Sequence, residues 1–186
     1  QNLRAYKQTK HKLAFGWYGS WTAVGASYQS RLISAPDSMD IISIWSQWHT
    51  LTPQQKADKE FVQKTLGTKV TYTIFSDKLP EPFLEIGNGE YTDEAIEAYA
   101  KAYCKDSMDK YQYDGIDIDY EPGYGASGPF VGHDNALFTK LINAMSKYVG
   151  PKSGTGRLLI IDGVPYAVDR SVVDCFDYGI VQAYAS

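Results

Sequence analysis

Six short apolar runs recur along the chain, and segments with helical spacing separate them. The runs are rich in β-branched and aromatic residues and are bounded by glycine, proline or polar residues, as buried strands are. They cover residues 12–19, 40–48, 69–76, 113–121, 157–164 and 177–185. A chain in which strands alternate with helices forms βα units around a parallel sheet. This alternation restricts the fold more than any other feature, and it predicts an α/β protein.

The segments between the runs carry the signals of helix ends. Thr52 is a plausible N-cap with Gln55 at the capping-box position, and Gly67 follows as a stop. Thr92 precedes two acidic residues, which suit the positive end of a helix dipole. The predicted helices cover residues 52–67, 92–111, 134–150 and 166–176.

Two parallel architectures fit this order of elements, an open doubly wound sheet and a closed barrel. The segment after the first strand, GSWTAVGAS, lacks the G-x-G-x-x-G pattern of a dinucleotide site, which disfavours the open sheet. The strands start about 33 residues apart, so eight units would approach the size of a (β/α)8 barrel. We therefore predict a TIM-type (β/α)8 barrel of which residues 1–186 form one incomplete domain, with strands one to six. A partner or a further segment is expected to complete the barrel, because exposed sheet edges are a liability.

Composition excludes several classes of function. The 186 residues are 44% hydrophobic with a formal net charge of -4, which is typical of a globular domain. Basic residues do not cluster, so no nucleic-acid partner is predicted. No apolar run reaches the roughly 18 residues of a membrane-spanning segment, and no signal peptide is visible, which predicts a mature or cytosolic chain. Cys104 and Cys175 are expected to be free thiols rather than metal ligands.

The fourth run, YDGIDIDYEPG, places several acidic side chains on one predicted strand. Residues two apart on a strand point to the same face, about 6.5–7 Å apart. Asp117, Asp119 and Glu121 therefore form one row. The opposite face, which a helix layer would cover, carries Ile116, Ile118 and Tyr120. Glu121 lies at the C-terminal end of the strand, where parallel barrels carry their chemistry.

Carboxylates this close cannot all ionise easily, so the pKa of at least one is expected to rise. A carboxyl group that stays protonated near neutral pH can act as the general acid that cleavage of a glycosidic bond requires. An ordinary retaining glycosidase also needs a carboxylate on the opposite face of the sugar, whereas this row acts from one side. The row therefore favours a general acid that is assisted by a neighbouring carboxyl group. The nucleophile would then come from the substrate, as the carbonyl oxygen of a 2-acetamido group.

A divalent cation is an alternative ligand for an Asp-x-Asp-x-Glu row. The strand spacing spreads the oxygens apart, neither His nor Asn joins them, and the loop pattern of an EF-hand is absent. We therefore predict no metal site and no cofactor. A solvated acidic edge strand is a further alternative, which the flanking isoleucines disfavour because they demand burial.

The segment DGIDIDYE, residues 114–121, resembles the D-x-x-D-x-D-x-E signature of glycoside hydrolase family 18. The last run contains VQAYA, in which Gln182 and Tyr184 share a face. It is similar to the Q-x-Y of the family's endo-β-N-acetylglucosaminidases, where chitinases usually carry M-x-Y. The resemblance covers the whole chain in the order of its elements.

This resemblance implies a role for each matching residue. Glu121 is the general acid/base, and Asp119 orients the acetamido group and stabilises an oxazolinium intermediate. Further roles are implied for Asp117, which holds and tunes Asp119, for Tyr184, which donates to the acetamido oxygen, for Gln182, which lines the same subsite, and for Asp114, which is structural.

The resemblance also implies an enzyme and a substrate. The expected reaction is cleavage of the chitobiose core of N-glycans by a retaining, substrate-assisted mechanism, and the expected partner is a glycan with β-linked N-acetylglucosamine. A chitinase and a non-catalytic glycan-binding module remain as alternatives, although the presence of both Glu121 and Asp119 favours an enzyme. A secreted, periplasmic or cell-surface location is expected by resemblance.

Other strand ends carry weaker candidates. Aromatic side chains there either stack on sugar rings or pack in the core, and those expected to face the barrel interior are Tyr18, Trp45 and Phe75. Gly115 allows a close backbone approach at the start of the fourth strand and is expected to be structural. The glycine-rich residues 123–133 suit a mobile substrate loop or a long connector. Asp162, which ends the fifth strand, is a further candidate, whereas His133 is expected to be a surface residue.

Overall fold

The computed structural model describes residues 3–24 and 30–182. Within these residues, each predicted apolar run contains one strand. The strands are β1 Phe15–Tyr18, β2 Ile41–Ile44, β3 Lys69–Phe75, β4 Gly115–Tyr120, β5 Leu158–Gly163 and β6 Tyr178–Val181. They follow chain order in a parallel sheet, as strands of a (β/α) barrel do. The prediction of an α/β fold with part of a (β/α)8 barrel is confirmed.

Helices lie between the strands. The α-helices are α1 Leu3–Lys7, α2 Pro53–Phe61, α3 Glu81–Leu84, α4 Asp93–Lys101, α5 Ser107–Tyr111 and α6 Ala136–Met145. Two π-helical segments, Val62–Leu66 and Ala102–Asp106, continue α2 and α4. The 3-10 segments are Leu32–Ser34, Glu85–Gly87, Pro165–Ala167 and Arg170–Cys175.

The predicted helix over residues 166–176 is wrong, because 3-10 turns take its place. Val168 and Asp169 have extended backbone angles, with ψ of 149° and 140°, and they interrupt any continuous helix. The Asp169 side chain accepts a hydrogen bond from the backbone N–H of Ser171 at 2.9 Å, which starts a new turn.

The predicted starts of α2 and α4 and the stop at Gly67 agree with the structure, whereas α6 ends at Met145, before the predicted end at residue 150. The Thr52 hydroxyl accepts a hydrogen bond from the Gln55 N–H at 3.1 Å, and the Gln55 side chain accepts one from the Thr52 N–H at 2.8 Å. Together they form the capping box that begins α2. Thr92 caps α4 in the same way, through the N–H of Ala95 at 3.2 Å. Gly67 adopts a left-handed conformation with φ of 71° directly after the first π-helical segment.

The chain divides into two compact units, residues 1–73 and 74–186, and β3 runs from the first into the second. In the first unit β1 pairs with β2, and β2 with β3. Asp58 on α2 accepts hydrogen bonds from the indole N–H of Trp21 at 2.8 Å and the backbone N–H of Leu32 at 2.7 Å. These bonds fasten the connection that follows β1. Between β2 and β3, the buried hydroxyls of Ser43 and Thr73 share a hydrogen bond of 2.9 Å.

In the second unit, β4 pairs with β5, and β5 with β6. The side of β4 opposite the acid row is packed as the alternation predicts. Ile116 and Ile118 are fully buried. The Tyr120 ring stacks on Phe138 of α6, with ring centroids 4.0 Å apart and an interplanar angle of 4°. Burial of this apolar side anchors the strand that carries the acids.

Candidate active site

The acid row of β4 changes from buried to accessible along the strand. Asp117 is completely buried, whereas Asp119 and Glu121 are partly exposed. The side chains of Asp119 and Glu121 hydrogen-bond to each other. The row therefore reaches solvent at the C-terminal end of β4, and Glu121 is its outermost member.

A cleft of about 260 Å³ opens above the end of β4. Asp119 and Glu121 line it together with Phe75 and Asp77 from the end of β3. Ala126 and Val131 complete the lining from the loop that follows β4. The Phe75 ring is 53% exposed, so it can offer a flat apolar face to a ligand in this cleft.

A fourth carboxyl group lies behind the row. Asp162 of β5 is the cross-strand partner of Asp119, and its side chain is completely buried. Its carboxyl group interacts with those of Asp117 and Asp119. The side-chain amide of Gln182, which follows β6, donates a hydrogen bond to Asp162 Oδ1. Three neighbouring strands thus contribute to one polar cluster.

Burial and like charge raise the pKa of two of these acids. Removal from water raises the pKa of Asp119 to about 6, and the charges of Glu121 and Asp117 add to the effect. Burial likewise raises the pKa of Asp162 to about 10, helped by its hydrogen bond and charge interaction with Asp117. This agrees with the expectation that not all the clustered carboxyl groups ionise near neutral pH.

Comparison with known proteins assigns this arrangement to a family. The family described as glycoside hydrolase family 18, BT1044-like, matches residues 1–186. The chain belongs to glycoside hydrolase family 18. The family prediction made from the acid row is thereby confirmed.

Two relatives within family 18 share much of this sequence. Endo-β-N-acetylglucosaminidase F2 of Elizabethkingia meningoseptica is 31% identical over 176 residues, which are 87% of this chain and 47% of that protein. An endo-β-N-acetylglucosaminidase of Bifidobacterium longum subsp. infantis is 36% identical over 101 residues, which are 50% of this chain and 17% of that protein. The chain therefore spans about half the length of the first relative and less of the second.

Solved structures agree with the family assignment. BT1044, solved as a selenomethionine variant, matches with a TM-score of 0.88 at 33% identity, over 99% of this chain and 60% of that one. Endo-β-N-acetylglucosaminidase from Cordyceps militaris matches with a TM-score of 0.67 at 27% identity, over 98% and 60%. A chitinase domain of Ostrinia furnacalis, at 14% identity, shares the fold with a TM-score of 0.64.

The loop after β4 is fastened at its far end in this family 18 chain. The single hydrogen of the Tyr120 hydroxyl is shared between the carbonyl oxygens of Phe130 and Gly132, each 2.8 Å from the hydroxyl oxygen, and that oxygen accepts from the Gly132 N–H at 3.1 Å. The N–H of Phe130 donates to the carbonyl oxygen of Asp77 at 3.1 Å. The predicted substrate loop is therefore tied down over residues 130–132, whereas the Tyr124 ring near its start is 68% exposed.

Glycines allow other chain segments to approach β4 closely. A Cβ atom at Gly115 would lie 2.5 Å from the carbonyl oxygen of Leu158, so only glycine fits this approach of β4 to β5. A Cβ atom at Gly163 would lie 2.9 Å from Cγ of Glu121, and the φ of Gly163 is +97°. The glycine after Asp162 thus leaves the space that the Glu121 side chain occupies.

The remaining predicted site residues fall in different places. In the first unit, the backbone N–H of Trp45 donates to the carbonyl oxygen of Tyr18 at 2.9 Å, and the Trp45 side chain is 48% exposed. Asp114 directly precedes β4, and its carbonyl oxygen accepts from the N–H of Leu158 at 2.8 Å. Tyr184 lies outside the described residues.

Sequence reasoning missed Asp77 and the supporting role of β5. Asp77 follows the end of β3 by two residues, a position that points to the C-terminal edge of the sheet. Asp162 ranked only as a weak candidate, because its contacts come from cross-strand register rather than from local sequence. Within the described ranges, no group of three or more His, Cys, Asp or Glu side chains has the geometry to hold a metal ion. No helix in those ranges is long and apolar enough for a membrane span.

Proposed function

We propose that this chain carries the catalytic acid of an endo-β-N-acetylglucosaminidase that cleaves between the two core N-acetylglucosamine residues of N-glycans. The observation that carries the proposal is the hydrogen-bonded pair of Asp119 and Glu121, which act from one side of one cleft. The names of the Elizabethkingia and Cordyceps relatives support it. A double mutant of the Cordyceps enzyme has been solved with fucosyl-N-acetylglucosamine-Asn, a fragment of such a glycan.

In the first step, Glu121 in its acid form donates a proton to the glycosidic oxygen. The carbonyl oxygen of the substrate's 2-acetamido group attacks the anomeric carbon as the bond to the leaving sugar breaks. An oxazolinium ion forms. The ionised Asp119 accepts a hydrogen bond from the acetamido N–H and stabilises the positive charge.

In the second step, Glu121 acts as a base. Its carboxylate takes a proton from a water molecule, which attacks the anomeric carbon from the side that the leaving sugar vacated. The carbon–oxygen bond to the acetamido group breaks and the neutral acetamide returns. Two inversions give net retention, and Glu121 is again protonated for the next cycle.

Asp77 allows a specific test of this mechanism, because it is the other carboxylate lining the cleft in the described part of the chain. A conventional retaining enzyme would use such a residue as its nucleophile. Under substrate assistance, replacement of the acetamido methyl by trifluoromethyl should slow cleavage strongly, because fluorine withdraws electrons from the attacking carbonyl oxygen. Under a conventional mechanism, the fluorinated substrate should react at nearly the normal rate.

The decisive experiment measures deglycosylation of an N-glycoprotein by the protein at its natural length. Glu121→Gln should lower kcat by about 10²–10⁴-fold, because it removes the proton donor. Asp77→Asn, an acid-to-amide change in the same cleft, tests the conventional alternative and should cost far less rate than Glu121→Gln, because Asp77 is not the nucleophile under substrate assistance. If Glu121→Gln stays within a few-fold of wild type, the role given to Glu121 is wrong.

Other substrates distinguish between the remaining functional hypotheses. Turnover of chitin oligomers with an inert glycoprotein would make the protein a chitinase. Glycan binding by a folded protein without product release would make it a binding module. We further propose that the protein acts outside the cytoplasm, where glycoproteins with N-glycans are displayed.

A further inference from the structure

Asp162 lies outside the acidic signature of β4, yet it contacts the centre of that row. Its cross-strand partner on β4 is Asp119, and its side chain is completely buried. Its carboxyl group interacts directly with those of Asp117 and Asp119. Three neighbouring carboxyl groups that are shielded from water cannot all carry a charge without a large cost, so at least one of them must hold a proton.

Gln182 fixes one side of the Asp162 carboxyl group. Its side-chain amide nitrogen donates to Asp162 Oδ1. Its own position is held by its backbone N–H, which donates to the carbonyl oxygen of Gly163 at 3.1 Å. Because Oδ1 accepts this hydrogen bond, a proton on Asp162 belongs on the other oxygen, Oδ2.

Asp162 Oδ2 is buried, and no donor among the described residues reaches it. The same holds for Oδ1 of Asp119. Ionised carboxylates only accept hydrogen bonds, so ionised acids here would face one another with no hydrogen between them. One proton on Oδ2 supplies the missing donor and removes one buried charge, which turns a repulsive contact into a hydrogen bond.

We propose that Asp162 is a positioning residue that keeps its proton throughout the working pH range and donates it through Oδ2 to the row of Asp117 and Asp119. This inference rests on the proposed function, which it deepens by assigning the support of the oxazolinium-stabilising residue. Asp162 acts through Asp119 and does not touch the reacting atoms.

The charges around Asp162 explain the effect on catalysis. Within the described residues, the ionisable groups facing Asp162 are Asp117 and Asp119 of β4. The residue that faces it directly after β6 is the neutral Gln182. The charges of Glu121 and Asp117 raise the pKa of Asp119, whereas the hydrogen bond with Asp162 lowers it. Asp162 thus helps Asp119 to stay ionised at a pH where its other neighbours favour protonation.

Two substitutions of similar size test this role in the protein at its natural length. Asp162→Asn keeps a neutral donor, so kcat should stay within about threefold of wild type, with the acidic limb of the pH–rate profile unmoved. Asp162→Leu removes the donor, so kcat should fall about 100-fold and the acidic limb should shift upward by about one pH unit. A purely structural role would leave that limb in place. The proposal is overturned if Asn is as damaging as Leu, or if Leu changes neither the rate nor the limb.

A second measurement does not depend on activity, so it separates this proposal from the proposed function. Carboxyl ¹³C NMR of protein labelled at aspartate should show one resonance that stays at its protonated position through neutral pH. That resonance should be missing from the folded Asp162→Asn variant. If every aspartate resonance titrates below pH 7, Asp162 does not hold a proton and the inference fails, whether or not glycans are cleaved and whether or not the Leu variant folds.

Discussion

Each unit of the chain holds a polar pair between two neighbouring parallel strands, but the two pairs differ in chemistry. In the first unit, the hydroxyls of Ser43 and Thr73 share a hydrogen bond of 2.9 Å. In the second unit, the carboxyl groups of Asp119 and Asp162 lie on paired positions of β4 and β5. A hydroxyl group both donates and accepts, whereas an ionised carboxylate only accepts.

This difference separates a pair that does not respond to pH from one that exchanges a proton with solvent. The hydroxyl pair is satisfied at any pH and leaves nothing to exchange. The carboxyl pair is satisfied only when a proton from solvent joins it, so its stability and its charge both depend on pH. Predictions that alter one pair and leave the other intact test this distinction.

Among changes to these two pairs, the largest effect is expected on the rate of Asp119→Asn. In the proposed mechanism Asp119 must be ionised to stabilise the oxazolinium ion, so wild-type activity should be lost as pH falls through about 6, the raised pKa of this group. The amide cannot supply that charge, so kcat should fall by about 10²–10³-fold and the acidic limb near pH 6 should disappear. A pH–rate profile of the purified variant measures both. A limb that persists near pH 6 would mean that another group controls it.

A smaller effect is expected on the thermal stability of Asp162→Asn. The pKa of Asp162 is raised from 3.8 to about 10 in the folded protein, so its contribution to stability is complete below pH 4 and is lost as pH rises toward 10. The amide does not titrate. The Tm of the variant should therefore gain on that of wild type by at least about 5 °C between pH 4 and 9. A difference that stays constant with pH would show that Asp162 ionises normally.

The smallest expected effect is at the hydroxyl pair. Ser43→Ala removes one partner of a buried hydrogen bond and should lower the free energy of unfolding by about 1–3 kcal/mol. Unlike the effect at Asp162, this loss should be the same at pH 5 and pH 9, because hydroxyls do not titrate in that range. Urea unfolding at the two pH values measures it. The double change with Thr73→Val should cost less than the two single changes added together.

Strand existence was predictable because each strand is a compact apolar run, but strand ends were not. The predicted second strand included Trp45, whereas β2 ends at Ile44. Helix α3 was missed because Pro80 and Pro82 flank its first residue, and prolines usually indicate a turn or loop. The row of Asp117, Asp119 and Glu121 followed from a period of two, which is a local property.

Contacts between strands could not be predicted from the sequence, for a physical reason. The pairing of Asp119 with Asp162 depends on the register of β4 and β5, and register is decided by packing of whole strands. The bond from Gln182 to Asp162 depends on the next register in the same way. Asp162 stood out only as a polar side chain at a strand end, and Gln182 through its resemblance to the Q-x-Y motif. Neither signal says which partners the two residues meet.

Tyr120 both packs β4 against α6 and anchors the loop that follows β4. One side of its ring packs on Phe138, while its hydroxyl holds the backbone at Phe130 and Gly132. Changes in length between residues 123 and 128 would therefore alter the rim of the cleft without displacing the anchored end of the loop or the acids of β4. Under the proposed function, substitutions in this short stretch would change the preferred glycan while the chemistry stays the same.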